Sequence, residues 1–252
     1  MKLTVLTMWY NEEKLAPFFF KHYRDLVDEI VVIVDADTDD NTREICKKNG
    51  AIIKEFKFPD GMDDILKRDR LNEELENIKS DWVLGVDADE FVFAPFSFKI
   101  KPFLEEADRA GADLVFTSFA NVFKHKTEGK LDINKSIVHQ RQHGSFNISE
   151  WGELNNRKAN VIKPYLRWEV GFHLAYGWHN IYKNCLLGVH WAMADVDLAI
   201  ERRIYGRKLR MSKRNKELKL SWHLFNITEE QIRKECKKHE NDPNILGKYL
   251  SS

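Results

Sequence analysis

The chain has 252 residues, 43% of them hydrophobic, enough to furnish a full core and to exclude disorder as the default state. Its 40 Lys plus Arg balance 40 Asp plus Glu, so no global field exists to draw in nucleic acid or an anionic bilayer, and any basic patch must be local. Cys46, Cys185 and Cys236 lie far apart with no CxxC spacing, which argues against a disulfide framework and a zinc cluster and for a reducing, cytoplasmic setting.

The opening MKLTVLTMWYNEE meets charge too early for a secretory signal, and no apolar run reaches the roughly 18 residues of a membrane span. A soluble protein with at most peripheral membrane contact is expected. LTVLTMW predicts a buried strand, and Leu15, Phe18, Phe19, Tyr23 and Leu26 fall at helical spacing in the next segment. EIVVIVD is continuous and β-branched, as a strand covered on both faces should be. NTREICKKNG predicts a short helix with Asn41 and Glu44 spaced as a capping box and Gly50 as its stop. AIIKEFKF, DDILKRDRLNEELENIKS and DWVLGVD follow as strand, helix and strand. This order implies an α/β fold with a mostly parallel sheet flanked by helices, its ligands bound beyond the carboxyl ends of the strands.

After Pro95 the rhythm loosens. IKPFLEEADRAG predicts a helix and ADLVFTSFANVF a strand, whereas residues 124–160 are polar and weakly periodic and predict loops and short hairpins. VIKPYLRWEVGFHLAYG and NCLLGVHWAM predict further strands, and DVDLAIERRIYGRKLRMSKRNKEL a basic helix broken near Gly206. No linker or repeat divides the chain, so a single domain with two parts is expected.

The tetrapeptide VDAD occurs twice, as Val34–Asp37 and Val86–Asp89, each closing an apolar run. In an extended D-x-D both carboxylates point to one side and can share a divalent ion, or an ion and a ribose hydroxyl. The plainer alternative is the preference of Asp for turns after strands. The first copy fits neither a calcium loop, whose sixth and twelfth positions would be Asp40 and Cys46, nor an aspartyl-phosphate motif, which wants Thr where Asp39 stands. The second follows a helix carrying Arg68, Arg70 and Asn72, donors suited to a diphosphate held through a metal.

Taken together, VLTMWYNEE, VDADTDDNT, RDRLN and VDADEF resemble, in order and spacing, the family 2 glycosyltransferases of the GT-A fold. The resemblance covers about the first 120 residues well. It implies a nucleotide-diphosphate-sugar donor bound by Asn11, Glu12, Asp35, Arg68, Arg70 and Asp87. Mn²⁺ or Mg²⁺ would be held by Asp87, Asp89 and a histidine from the later part, His190 or, second, His173. It further implies residues 1–120 as the donor part and 121–252 as the acceptor-side part with C-terminal helices. The implied reaction is inverting transfer to a hydroxyl of a glycan or glycoconjugate, with Glu153 or Glu150 as base and Asp195 and Asp197 behind them. Ala36 and Asp37 stand where the family often has Asp and Gly.

Trp151, Trp168, Trp178 and Trp191 could stack on a sugar, though core packing is the commoner role. The run RRIYGRKLRMSKRNK reads either as a solvated helix face or as phosphate contacts to a donor or an anionic acceptor. Nucleic acid is not an expected partner. Two other functions compete. A sugar-phosphate nucleotidyltransferase would want a glycine-rich loop where MWYNEE stands, and a non-catalytic nucleotide or glycan module would keep the carboxylates as ligands only.

Overall fold

The computed structural model describes residues 1–146 and 157–250. Its first part is the expected alternation: β1 (Leu3–Trp9), α1 (Ala16–Tyr23), β2 (Glu29–Asp35), α2 (Thr42–Lys48), β3 (Ile52–Phe56), α3 (Asp64–Leu75) and β4 (Trp82–Gly85). The strands lie in the order β3-β2-β1-β4, all parallel. Alternation explains why their sequences are apolar throughout. Val5, Trp9, Val32 and Val34 pack with Phe19, Phe20 and Tyr23 of α1 on one face. Leu6, Met8, Val31 and Ile33 pack with Leu71 and Leu75 of α3 on the other.

The next elements are β5 (Glu90–Phe93), α4 (Ile100–Arg109), β6 (Leu114–Phe123), β7 (His143–Phe146), β8 (Arg157–Ile162), β9 (Arg167–Trp168), β10 (Ala175–Tyr176) and β11 (Leu186–Met193). The sheet continues from β4 through β8, β6 and β11 to β5, with β7 on β6. β8 runs antiparallel to both β4 and β6, so it converts a parallel sheet into a mixed one at its centre. This corrects the loop expectation for residues 124–160, because β8 begins at Arg157 and is buried from Lys158 onward. Lys158 and Asn160 are fully enclosed polar residues within it, which is why the segment reads as polar. VIKPYLRWEVGFHLAYG ends β8 and then makes only the two-residue strands β9 and β10 around a 3₁₀ turn at Val170–Phe172.

Asn41 precedes α2 without a side-chain cap. Its amide donates to Glu13 instead (2.8 Å), while Asp40 accepts from the Thr42 N–H (2.9 Å), so the capping box is not formed. Gly50 does end the helix at φ +73°.

The C-terminal part holds α5 (Val196–Ile200), running into a π-helix at Glu201–Lys208, then α6 (Lys213–Glu217), α7 (Glu229–Lys238) and α8 (Gly247–Leu250). The break in the basic helix falls at Leu209–Ser212, just beyond Gly206. Among the described residues no helix is long and apolar enough to cross a membrane.

Candidate active site

Parallel strands point their carboxyl ends to one edge of the sheet, and the residues following β1, β2 and β4 meet there. The π-helix and the turn at Val170–His173 close over them, enclosing a cavity of about 530 Å³. Both VDAD copies send carboxylates into it: Asp35, and the pair Asp87 and Asp89 in the turn from β4 to β5.

Asp89 is 5% exposed and is held by Arg202 Nη1, with His190 Nε2 3.5 Å from its Oδ2. The same guanidinium reaches the strand-end Glu12, its Nη2 2.9 Å from Oε1 and its Nε 3.0 Å from Oε2. Asp87 Oδ1 accepts from Lys67 Nζ at 2.5 Å, and its Oδ2 lies 3.8 Å from Lys158 Nζ, which also pairs with the buried Glu90. Four carboxylates are thus crowded around three cations. Burial disfavours every one of these charges. For Asp89 the Arg202 and His190 charges outweigh it, and for Asp87 those of Lys67 and Lys158 do, so both carboxyls are held well below the usual range. Glu12 is the member that yields: burial, with Asp89 and Asp87 repelling it, pushes its carboxyl up to about 7 despite Arg202. Asp89 and Glu12 in turn hold Arg202 above its ordinary range.

At the other end of the cavity Asp35, 1% exposed, accepts from Arg210 Nη2 at 2.6 Å. The Arg210 guanidinium carbon lies over the Tyr10 ring, 3.3 Å from its centroid. The backbone around Arg210 is fixed: its carbonyl accepts from the Met62 N–H at 2.6 Å, and Ser212 N–H donates to Met62 O at 2.9 Å. Gly61, at φ +76°, is required here, because a Cβ would stand 2.2 Å from the Arg210 carbonyl oxygen. Asp63, the N-cap of α3, completes the anchor by accepting from Ser212 and Arg214. One short stretch, residues 202–210, therefore supplies an arginine to each VDAD copy.

Of the residues expected at the donor, Asn11, Glu12, Asp35, Asp87, Asp89, His190 and His173 all line this cavity. Asn11, at φ +49°, spends its amide on Asp39 (2.5 Å). Asp37 turns out to solvent towards Lys57. Arg68 and Arg70 do not line the cavity: Arg68 binds Asp69 (2.6 Å) and Glu169 (3.2 Å), and Arg70 binds Glu74 (2.8 Å). Lys67, one residue earlier on α3, faces inward in their place. Glu150, Trp151 and Glu153 lie outside the described residues. Asp195 caps α5 through the Leu198 N–H (3.2 Å), and Asp197 pairs with Arg233. Trp168 and Trp191 are core residues, whereas Trp178 is 92% exposed.

Asp87, Asp89 and His190 are the side chains that would hold a divalent ion, but Arg202 occupies Asp89 Oδ2 and Lys67 occupies Asp87 Oδ1. Asn121 Oδ1 lies 3.1 Å from His190 Nδ1, a pairing that orients the ring with Nε2 towards Asp89. Carboxylate oxygens and an imidazole nitrogen are ligand types that such an ion accepts, and it would have to displace those cations. Among the described residues no group of three or more His, Cys, Asp or Glu is gathered tightly enough to hold an ion alone.

Residues 4–182 match the family described as Glycosyl transferase family 2. Among solved structures, S. aureus TarS is similar at 15% identity and TM-score 0.44, over 85% of this chain and 45% of that one. TarS 1-349 in complex with UDP-GlcNAc is similar at 16% identity and TM-score 0.43, over 81% of this chain and 65% of that one. Glucosyl-3-phosphoglycerate synthase from Mycobacterium tuberculosis, in complex with Mg²⁺ and uridine diphosphate, is similar at 19% identity and TM-score 0.35, over 48% and 43%. The chain thus spans less than two thirds of each of these structures. Among curated proteins, none matches it significantly.

Proposed function

This chain belongs to glycosyl transferase family 2, and on that premise we propose that it moves a sugar from a nucleotide-diphosphate-sugar donor to a hydroxyl of a glycan or glycoconjugate. The observation that carries the reading is the convergence of Asp35, Asp87 and Asp89, from two separate strand ends, on one cavity. Asp35, at the Tyr10 end, receives the nucleoside. Asp87, Asp89 and His190 would hold Mn²⁺ or Mg²⁺ in place of the cations now paired with the two carboxylates, and the ion would supply positive charge beside the diphosphate. Residues 1–120 supply the strand-end carboxylates of the donor cavity, and 121–252 add Lys158, His190, Arg202 and Arg210 to it besides the acceptor side.

The acceptor oxygen forms a bond to the anomeric carbon as the bond from that carbon to the diphosphate oxygen breaks. The electron pair leaves with the nucleoside diphosphate, and the anomeric configuration inverts. The hydroxyl proton passes to a carboxylate base, assigned to Glu153 or Glu150. Lys67, Lys158 and Arg202, each a fifth exposed or less, add fixed positive charge near the departing group. The three cysteines are free, which fits a cytoplasmic enzyme.

The test is turnover of a panel of nucleotide sugars with and without Mn²⁺, in the native chain and in Asp89→Ala. Metal-stimulated release of nucleoside diphosphate that Asp89→Ala abolishes in a folded protein is expected. Pyrophosphate release from a nucleoside triphosphate and a sugar phosphate would instead make the chain a nucleotidyltransferase. Ligand binding with no turnover for any acceptor would make it a binding module.

A further inference from the structure

The basic run after β11 divides its charges between two faces. From Arg202 to Lys219 it carries nine lysines and arginines against the one acid Glu217, in a chain whose charges otherwise cancel. Four of the arginines turn inward, Arg202 to Asp89, Arg207 to Asp64, Arg210 to Asp35 and Arg214 to Asp63. The lysines of α6 and of the turn after it stay outside. Lys213, Lys216 and Lys219 are exposed. Lys213 has only Glu217, 3.7 Å away, and among the described residues no acid pairs with Lys216 or Lys219.

The same unit exposes large apolar side chains. Tyr205, Leu209, Leu218 and Trp222 are each more than half exposed, Trp222 at 71%. Singly such side chains are ordinary on a protein surface, but here they are interleaved with lysines along one short stretch. The π-helix packs against the 3₁₀ turn at Trp222–Leu224, which brings the two ends of that stretch together. Trp222 is not exposed through slack. The turn that presents it holds Lys219 and Ser221 in left-handed conformations, at φ +54° and +52°. It is pinned by the Leu220 N–H on Asn215 O (2.9 Å) and by Ser221 Oγ on the buried Asp64 (2.8 Å). Such a backbone persists only where its surroundings fix it, so the outward tryptophan is built into the fold.

Tryptophan and tyrosine favour the boundary between water and acyl chains, leucine partitions into the chains, and nearby lysines are drawn to anionic headgroups. A nucleic acid would use the lysines and leave the leucines in water. A second copy of the chain packed face to face would set lysine against lysine. We propose that the outer face of the π-helix, α6 and the turn at Trp222 docks on an anionic phospholipid bilayer. Tyr205, Leu209, Leu218 and Trp222 enter the headgroup boundary, and Lys213, Lys216 and Lys219 meet the lipid phosphates. The contact is peripheral, since no described helix is long and apolar enough to cross a membrane. It borders the cavity, which Tyr205 also lines. The docking does not rest on the glycosyl-transfer reading.

The experiment is co-sedimentation of the full chain with vesicles of phosphatidylcholine alone, and of phosphatidylcholine with an equal part of phosphatidylglycerol. A chelator is present, so that no divalent ion bridges protein to lipid. The native chain binds the anionic vesicles and not the neutral ones, and binding weakens as salt rises from about 0.1 M to about 0.5 M. Trp222→Ala weakens it by about tenfold, and the combined Lys213→Gln, Lys216→Gln and Lys219→Gln variant by about 100-fold. Trp178→Ala, which removes an exposed tryptophan outside this unit, leaves it unchanged. Unchanged melting temperatures show that the variants are folded, and should the lysine variant fail to fold, Trp222→Ala decides. Failure of the native chain to bind anionic vesicles overturns the proposal, as does binding that neither variant weakens. Equal losses in Trp178→Ala and Trp222→Ala mark unspecific adsorption and overturn it too. Dimerisation in sedimentation velocity that Trp222→Ala abolishes, in a chain that binds no vesicle, assigns the face to a second copy instead.

Discussion

Arg210 holds Asp35 from 175 residues away in sequence, its Nη2 2.6 Å from the carboxylate and its guanidinium carbon over the Tyr10 ring. The contact joins the end of the second strand to the strap that follows the π-helix. It leaves the carboxylate no solvent of its own.

Arg210→Ala is expected to cost about 2–4 kcal/mol, because it strands a buried charge rather than merely deleting a contact. Asp35→Asn in the Arg210→Ala background should recover part of that loss. Urea unfolding of the two single variants and the double variant gives the coupling energy, and a value near zero would show that the pair is inert.

Asp89→Asn should lower metal-stimulated transfer by about 100-fold or more, since it removes charge that the proposed ion needs. The protein should stay folded, because Arg202 keeps its three contacts to Glu12, with a melting temperature lowered by the loss of one buried counter-charge. Initial rates with Mn²⁺ and a thermal melt separate loss of chemistry from loss of fold.

Glu12 sets a pH dependence of unusual sign. Burial raises its carboxyl from 4.5 to about 7, so between those values the unfolded chain has released a proton that the native chain keeps. Stability therefore falls as pH rises through this window, by up to about 3 kcal/mol, and the loss is complete above it. His22 acts in the opposite sense. Burial lowers it from 6.5 to about 4, so its contribution is present above 6.5 and is lost as pH falls towards 4. In Glu12→Gln the first slope disappears, and denaturation at pH 5, 6 and 7 should show stability rising with pH relative to the native chain. Parallel curves would refute the assignment.

Gly61→Ala should displace the strap, since the new Cβ meets the Arg210 carbonyl oxygen at 2.2 Å on a backbone at φ +76°. A cost of about 2 kcal/mol or more, read as a melting temperature lower by several degrees, is expected. Nucleoside diphosphate affinity should change in the same variant, because Arg210 moves with its carbonyl. A normal melt would mean that the strap can shift freely.

The first half of the fold was legible because its strands are covered on both faces and their apolar runs are unbroken, as in Val31–Val34. β8 was not, because it threads Lys158 and Asn160 through the middle of the sheet, and a period-two pattern with a lysine inside reads as a surface loop. The two VDAD motifs disclosed Asp35, Asp87 and Asp89. The cations that answer them were harder to find. Lys67 stands beside the more conspicuous Arg68 and Arg70, and only the rotation of α3 decides which of the three faces the cavity. Arg202 and Arg210 sit in a basic run whose ordinary reading is a solvated face. Its one usable signal was the absence of any acidic residue from Arg202 to Lys216.

The wall that carries Arg202 is encoded 190 residues after the Glu12 it grips. A chain leaving the ribosome can therefore make Asp35 and Asp89 long before the guanidinium groups that pair with them, whereas Asp87 follows its partner Lys67. That edge keeps two unanswered carboxylates until the last fifth of the polypeptide folds back to close the cavity wall.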